Sequence, residues 1–153
     1  MKKTILASIL FIASLKAFCG VVDHDRMYQA YLSNDMSVWK TELQKYTTST
    51  DLTITDKLEI SNYLYGYIAT LLTDADKNKQ EIIDWIDLWE KYLEEIEKAT
   101  GKNAYVHVYR SSINAYKSKV KAGGMMVWGP RSLTELKRAL NIDPNNPLAN
   151  GLK

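Results

Sequence analysis

Apolar positions recur three and four residues apart through most of the chain, the spacing of one helix face rather than of a strand. The clearest run lies near the C-terminal end, where Leu133, Leu136, Ala139 and Leu140 stripe a helix opening at Ser132. Asp143-Pro144 stops it, because proline lacks an N–H and pushes the residue before it out of the α region. Asn145 or Asn146 suits the next N-cap, and Pro147 suits the first position of a new helix.

The same reading divides the rest of the chain. Tyr28, Tyr31 and Leu32 mark a short helix, and Asn34-Asp35 cap a second carrying Val38, Trp39, Leu43 and Tyr46. Residues 47–50, all Thr or Ser, read as a loop. Thr55 or Asp56 then caps a helix with Leu58, Ile60, Leu64, Ile68, Leu71 and Leu72 inward, where Gly66 admits a close neighbour. Residues 63–67 alternate as a strand would, but the four-residue pattern around them favours helix. After a polar connection at 73–78, a long helix over 79–99 turns Ile82, Ile83, Ile86, Trp89, Leu93 and Ile96 to one side, with Gly101 at its C-cap. Tyr105, Val108, Tyr109, Ile113 and Tyr116 line a helix ending near Lys121, and residues 122–130 read as an apolar, Gly-rich loop. The predicted fold is all-α, built from antiparallel helix pairs joined by short turns in an α-solenoid. The expectation is that residues 21–153 end inside a repeat, since a lone first turn after Pro147 cannot bury its apolar face.

Residues 1–20 stand apart. Lys2-Lys3, an apolar run over 5–15 and small residues near Cys19-Gly20 have the form of a secretory signal peptide. That run falls short of the ~20 residues a membrane span needs, and no later segment approaches it. The expected setting is therefore outside the cytoplasm, in a periplasm or cell envelope. Removing the leader takes away three of the 20 basic residues and none of the 18 acids, leaving a net charge of −1. No clustered basic face remains to favour nucleic acid. Cys19, the single cysteine, lies at the cleavage junction, but Lys16-Ala17-Phe18 before it suits lipidation poorly. Without it the mature chain has no disulfide.

Ala139 and Pro144 have the spacing of the small helix-B residue and terminal proline of a tetratricopeptide repeat, and Leu136 fits the large apolar position before them. The first helix of that unit fits poorly, because 119–130 interposes a non-helical stretch. Four further elements are Tyr65-Gly66-Tyr67, Ala115-Tyr116-Lys117, Gly129-Pro130-Arg131-Ser132 and the run Asn141-Ile142-Asp143-Pro144-Asn145-Asn146-Pro147. Together they resemble secreted tetratricopeptide-like proteins of the Bacteroidetes bacteria, over roughly residues 25–153. The resemblance implies a scaffold whose function lies in a partner; it carries over no catalytic residue and no cofactor.

Candidate chemistry is sparse. His24 in Asp23-His-Asp25 reads as part of a flexible polar tail, and His107 as a surface or half-buried packing residue. Zinc ligation needs three or four ligands at recurring spacing, which is not seen. Asp84, Asp87, Glu90, Glu94, Glu95 and Glu97 read as the solvated side of an amphipathic helix. No nucleophile with its base stands out, so no catalytic residue is assigned. The aromatic residues are the better lead, since Tyr and Trp join a flat apolar face to a polar tip. Tyr63 with Tyr67 and Trp85 with Trp89 stack at four-residue spacing, and Tyr109 follows on the next helix. These residues either fill contacts between helices or line a concave face for a peptide, glycan or small ligand. Met125, Met126 and Trp128 form an apolar loop that either docks a partner or tucks over neighbouring helix ends. The functional expectation is a non-enzymatic interaction scaffold, with a protein or peptide as its first partner class and a glycan or small ligand as its second.

Overall fold

The computed structural model describes residues 23–152, so the leader and Cys19 lie outside the described residues. Seven α-helices and no strand are found among the described residues: α1 His24–Leu32, α2 Met36–Thr47, α3 Ile54–Leu71, α4 Lys79–Thr100, α5 Ala104–Val120, α6 Gly124–Ile142 and α7 Pro147–Gly151. A short 3₁₀ turn, Leu72–Asp74, follows α3. Helices α1 to α6 pack mainly on their sequence neighbours, α3 also reaches α5, and α7 packs on both α5 and α6.

Local chemistry sets the boundaries. Asp23, Asp35, Thr53, Asn103 and Asn146 each cap a helix by accepting a backbone N–H into the side chain. The cap of α3 lies earlier than Thr55 or Asp56. It is Thr53, and Asp56 closes a reciprocal capping box by accepting the Thr53 N–H at 2.8 Å. Gly101 at φ 71° ends α4, and Asp143 ends α6.

The main core runs along α2 to α5. On α4, Ile82, Ile86, Trp89, Leu93 and Ile96 are wholly buried. Each such side chain contributes about 1.5–3 kcal/mol over an exposed one. Gly66 on α3 lets Trp39 of α2 approach so closely that a Cβ there would sit 2.9 Å from the indole. Tyrosine hydroxyls tie helices that are not adjacent in sequence. Tyr92 donates to the Tyr46 carbonyl from α4 to α2, and Tyr116 donates to the Tyr65 carbonyl from α5 to α3, both at 3.1 Å.

Tyr28, Tyr31 and Leu32 do lie on a short helix; they are exposed, and α1 buries Met27 and Ala30. Two expectations differ from the structure. The segment 122–130 is not a loop, because α6 already begins at Gly124 and carries Pro130 inside it. Gly123, at φ 90°, confines the turn to residues 121–123 and leaves room for Val127. Small residues then let α5 and α6 close tightly, with the Ser132 hydroxyl donating to the Ser111 carbonyl at 2.9 Å. Packing of that kind overrides the low helix propensity of Gly124, Gly129 and Pro130. Finally, α7 does bury its apolar face. Ala149 is fully enclosed beside Val108, Leu136 and Ala139, with Leu148 and Leu152 half-buried against them.

Candidate functional site

The aromatic residues converge chiefly on the interior. Trp89 lies 5.4 Å from Tyr109 and 6.4 Å from Tyr116 between ring centroids, and both Trp89 and Tyr109 are buried. Burial pushes the Tyr109 hydroxyl up to about 12. Tyr63 and Tyr67 do not stack on each other, and neither do Trp85 and Trp89. Tyr63 meets Trp39 edge-on at 5.5 Å, and Tyr67 meets Trp85 edge-on at 5.9 Å. Four-residue spacing put each pair on one face, but that face is turned to other helices, whose rings are the nearer partners.

One of these contacts opens to solvent. A groove of about 540 Å³ between α2 and α4 is lined by Lys40, Gln44, Thr47, Glu81, Asp84, Trp85 and Leu88. Glu81 organises its wall. Lys40 Nζ donates to one carboxylate oxygen at 3.0 Å, while the Tyr67 hydroxyl and Trp85 Nε1 donate to the other at 2.8 and 3.3 Å. Burial opposes the charged carboxylate, but these three donors outweigh it and hold Glu81 below the ordinary value. Tyr67 is displaced upward, first by burial and then by its bond to Glu81.

A carboxylate with a lowered native pKa stabilises the fold above its unfolded value of 4.5, and that contribution is lost as pH falls through the native value. Acid titration of the native chain should therefore weaken the fold and alter Trp85 emission. Glu81→Gln should flatten the Glu81 part of that acid dependence. An unchanged acid profile in the variant would assign the effect to other carboxylates.

The second exposed feature is α6. Met126 is 91% exposed, with Met125 at 62% and Leu133 at 61%. Met126, Pro130, Leu133 and Lys137 follow one another at four-, three- and four-residue steps, so they share a stripe. Trp128 is only half exposed. Its indole N–H donates to the Ala122 carbonyl at 3.0 Å, and Lys117 Nζ at 5.1 Å and the Arg131 guanidinium at 4.7 Å both lie over its ring. Lys117, buried on α5, also donates to both Glu90 oxygens at 2.7 Å. Trp128 thus closes the α5–α6 turn, while the two methionines stand out beyond it.

The acidic side of α4 is less solvated than its spacing suggests. Glu90, Glu95 and Glu97 pair with Lys117, Lys57 and Arg110 on neighbouring helices. His24 is not part of a flexible tail: Nδ1 lies 2.8 Å from the Tyr63 hydroxyl, and Nε2 pairs with Glu59. His107 is buried with Nδ1 2.6 Å from Glu135 across α5–α6. No cluster of three or more metal-binding side chains occurs among the described residues. No helix among the described residues is long and apolar enough to cross a membrane. The chain matches no known protein family, no curated protein and no solved structure.

Glu81 and Lys117 escaped the sequence reading as functional candidates. The signal for Glu81 was its position four residues before Trp85, which puts its carboxylate beside the indole. The pairing of Lys117 with Glu90 had no local signal, since 27 residues separate them.

Proposed function

We propose that this chain is an exported, non-enzymatic interaction scaffold of a periplasm or cell envelope, built as a tetratricopeptide-like helical repeat. The observation that carries the reading is the outer stripe of α6, where Met126 and Leu133 present apolar surface on an ordered helix. The repeat reading is supported by the packing of sequence-adjacent helices, the α3 to α5 contact and the Asn146-capped turn that restarts the helix at Pro147. Export rests on the form of residues 1–20.

Crosslinked affinity capture from the native envelope fraction tests it. A protein partner should accompany the native chain, and Met126→Glu should reduce its recovery about tenfold, the equivalent of about 1.4 kcal/mol. Helicity should stay unchanged in the variant. Trp128→Ala should weaken capture as well, by loosening the turn that presents the stripe. Equal recovery with all three chains would remove α6 as the docking face.

A second reading, a small-ligand or glycan module, is favoured by the groove at Glu81. There an indole lies beside Lys40, Gln44, Thr47 and Asp84, the mixture of flat and hydrogen-bonding groups that suits a polar ring. Trp85 emission should then respond to a sugar in titration. A flat response across a broad panel would sink this reading.

A further inference from the structure

Helices α1 and α6 carry complementary exposed stripes. On α1, Tyr28, Tyr31 and Leu32 are each about three-fifths exposed, exposed Asp25 precedes them by one turn, and exposed Asp35 caps the next helix just after the turn that ends α1. Asp23, also exposed, adds a third acid to this end. Its arginine is committed elsewhere: Arg26 pairs with the buried Glu42 at 2.8 Å. The α1 stripe is therefore apolar with an acidic border.

The α6 stripe has the opposite border. Met126, Pro130 and Leu133 run into exposed Lys137, and exposed Arg131 lies on the same helix with its guanidinium over the Trp128 ring. The single acid of α6, Glu135, is engaged by His107 and Arg138. Lys119, exposed at the end of α5, adds to the basic side. Neither stripe has a covering helix among the described residues.

Apolar surface of this extent invites a partner, and opposite borders favour one register and disfavour pairing like with like. We infer that the α6 stripe of one copy docks the α1 stripe of a second, giving a head-to-tail assembly of the chain with itself. This rests on the reading of α6 as a docking face and names its occupant. A contact between two different patches leaves one free stripe at each end, so assembly continues unless the rotation closes a ring.

Sedimentation of the purified chain from about 1 μM to about 1 mM tests this. The weight-average mass should rise about twofold or more, and added salt should reduce the rise because the borders are exposed charges. Leu32→Lys should disable α1 and Leu133→Glu should disable α6. Each variant alone should stay monomeric, with native helicity and melting. Their mixture should give a one-to-one dimer and nothing larger, since only one competent α1 and one competent α6 remain in each pair.

A native chain that stays monomeric over the whole range overturns the inference. So does assembly that survives in either single variant, because that would mean a like-with-like contact or another surface. Capture of an envelope partner through Met126 by a strictly monomeric chain would retain the scaffold reading and reject self-docking. Loss of both behaviours would reject both.

Discussion

Trp89→Ala should destabilise the chain by about 3–5 kcal/mol, the usual cost of replacing a large buried aromatic by alanine. Trp89 is wholly buried on α4, and its ring meets Tyr109 and Tyr116 of α5. Truncation would leave a void along the α4–α5 contact with no exposed side from which water could fill it. A domain of this size has about 5–15 kcal/mol of total stability, so the variant should lie near the edge of folding. Urea unfolding monitored by far-ultraviolet circular dichroism measures the loss. A change below about 1 kcal/mol would mean that this contact is not tightly packed.

Trp89 also separates volume from polarity. Its Nε1 is buried with no hydrogen-bond partner, and such an unmet donor costs about 1–3 kcal/mol. Trp89→Phe removes that donor while keeping a ring. It should therefore be much milder than the alanine variant. Equal costs would show that the six-membered ring cannot occupy the site.

Gly66→Val should be the second severe change, costing about 1–3 kcal/mol through overpacking. Even a single added Cβ would lie 2.9 Å and 3.2 Å from two indole carbons of Trp39. Trp39 cannot withdraw freely, because its Nε1 donates to the Met27 carbonyl at 2.8 Å and its ring abuts Tyr63. Pushing it away would break one of the links that hold α1, alongside the Arg26–Glu42 pair and the His24 contacts with Tyr63 and Glu59. Amide exchange in α1 should consequently rise before exchange elsewhere.

A double-mutant cycle isolates the cause. In a Trp39→Leu background, Gly66→Ala should cost nothing or gain up to about 1 kcal/mol, as alanine is the better helix former. The same substitution in the native background should be unfavourable. Additive effects would refute the steric account.

Much of the helical framework was legible because its signals are local. The Asp35 cap, Gly101 and the Asp143-Pro144 stop depend on neighbours within one turn. Gly66 was read correctly as the place of a close approach, although its neighbour, Trp39, was not legible. The start of α6 was misread because Gly and Pro are weak helix formers, while the serine contact that sustains it joins residues 21 apart in sequence. The inward face of α1 was not legible for a related reason. Tyr28, Tyr31 and Leu32 have helical spacing, but so do Met27 and Ala30, and only the position of α2 decides between them.

The candidate site followed the same division. Trp85 was singled out by residue type, and it does line the α2–α4 groove. The network around it was not visible, because Lys40 and Glu81 are 41 residues apart. Residue type showed where an aromatic surface was available; the fold decided which rings were spent on packing.

The tyrosine ties bear on how the chain reaches its fold. Tyr46 with Tyr92 and Tyr65 with Tyr116 span 46 and 51 residues, whereas most helix contacts join immediate neighbours. Forming neighbour pairs first sacrifices little loop-closure entropy, and architectures of this kind are fast folders. On that argument the two hydroxyl bonds should form late, once the helices they join have each found the one between them.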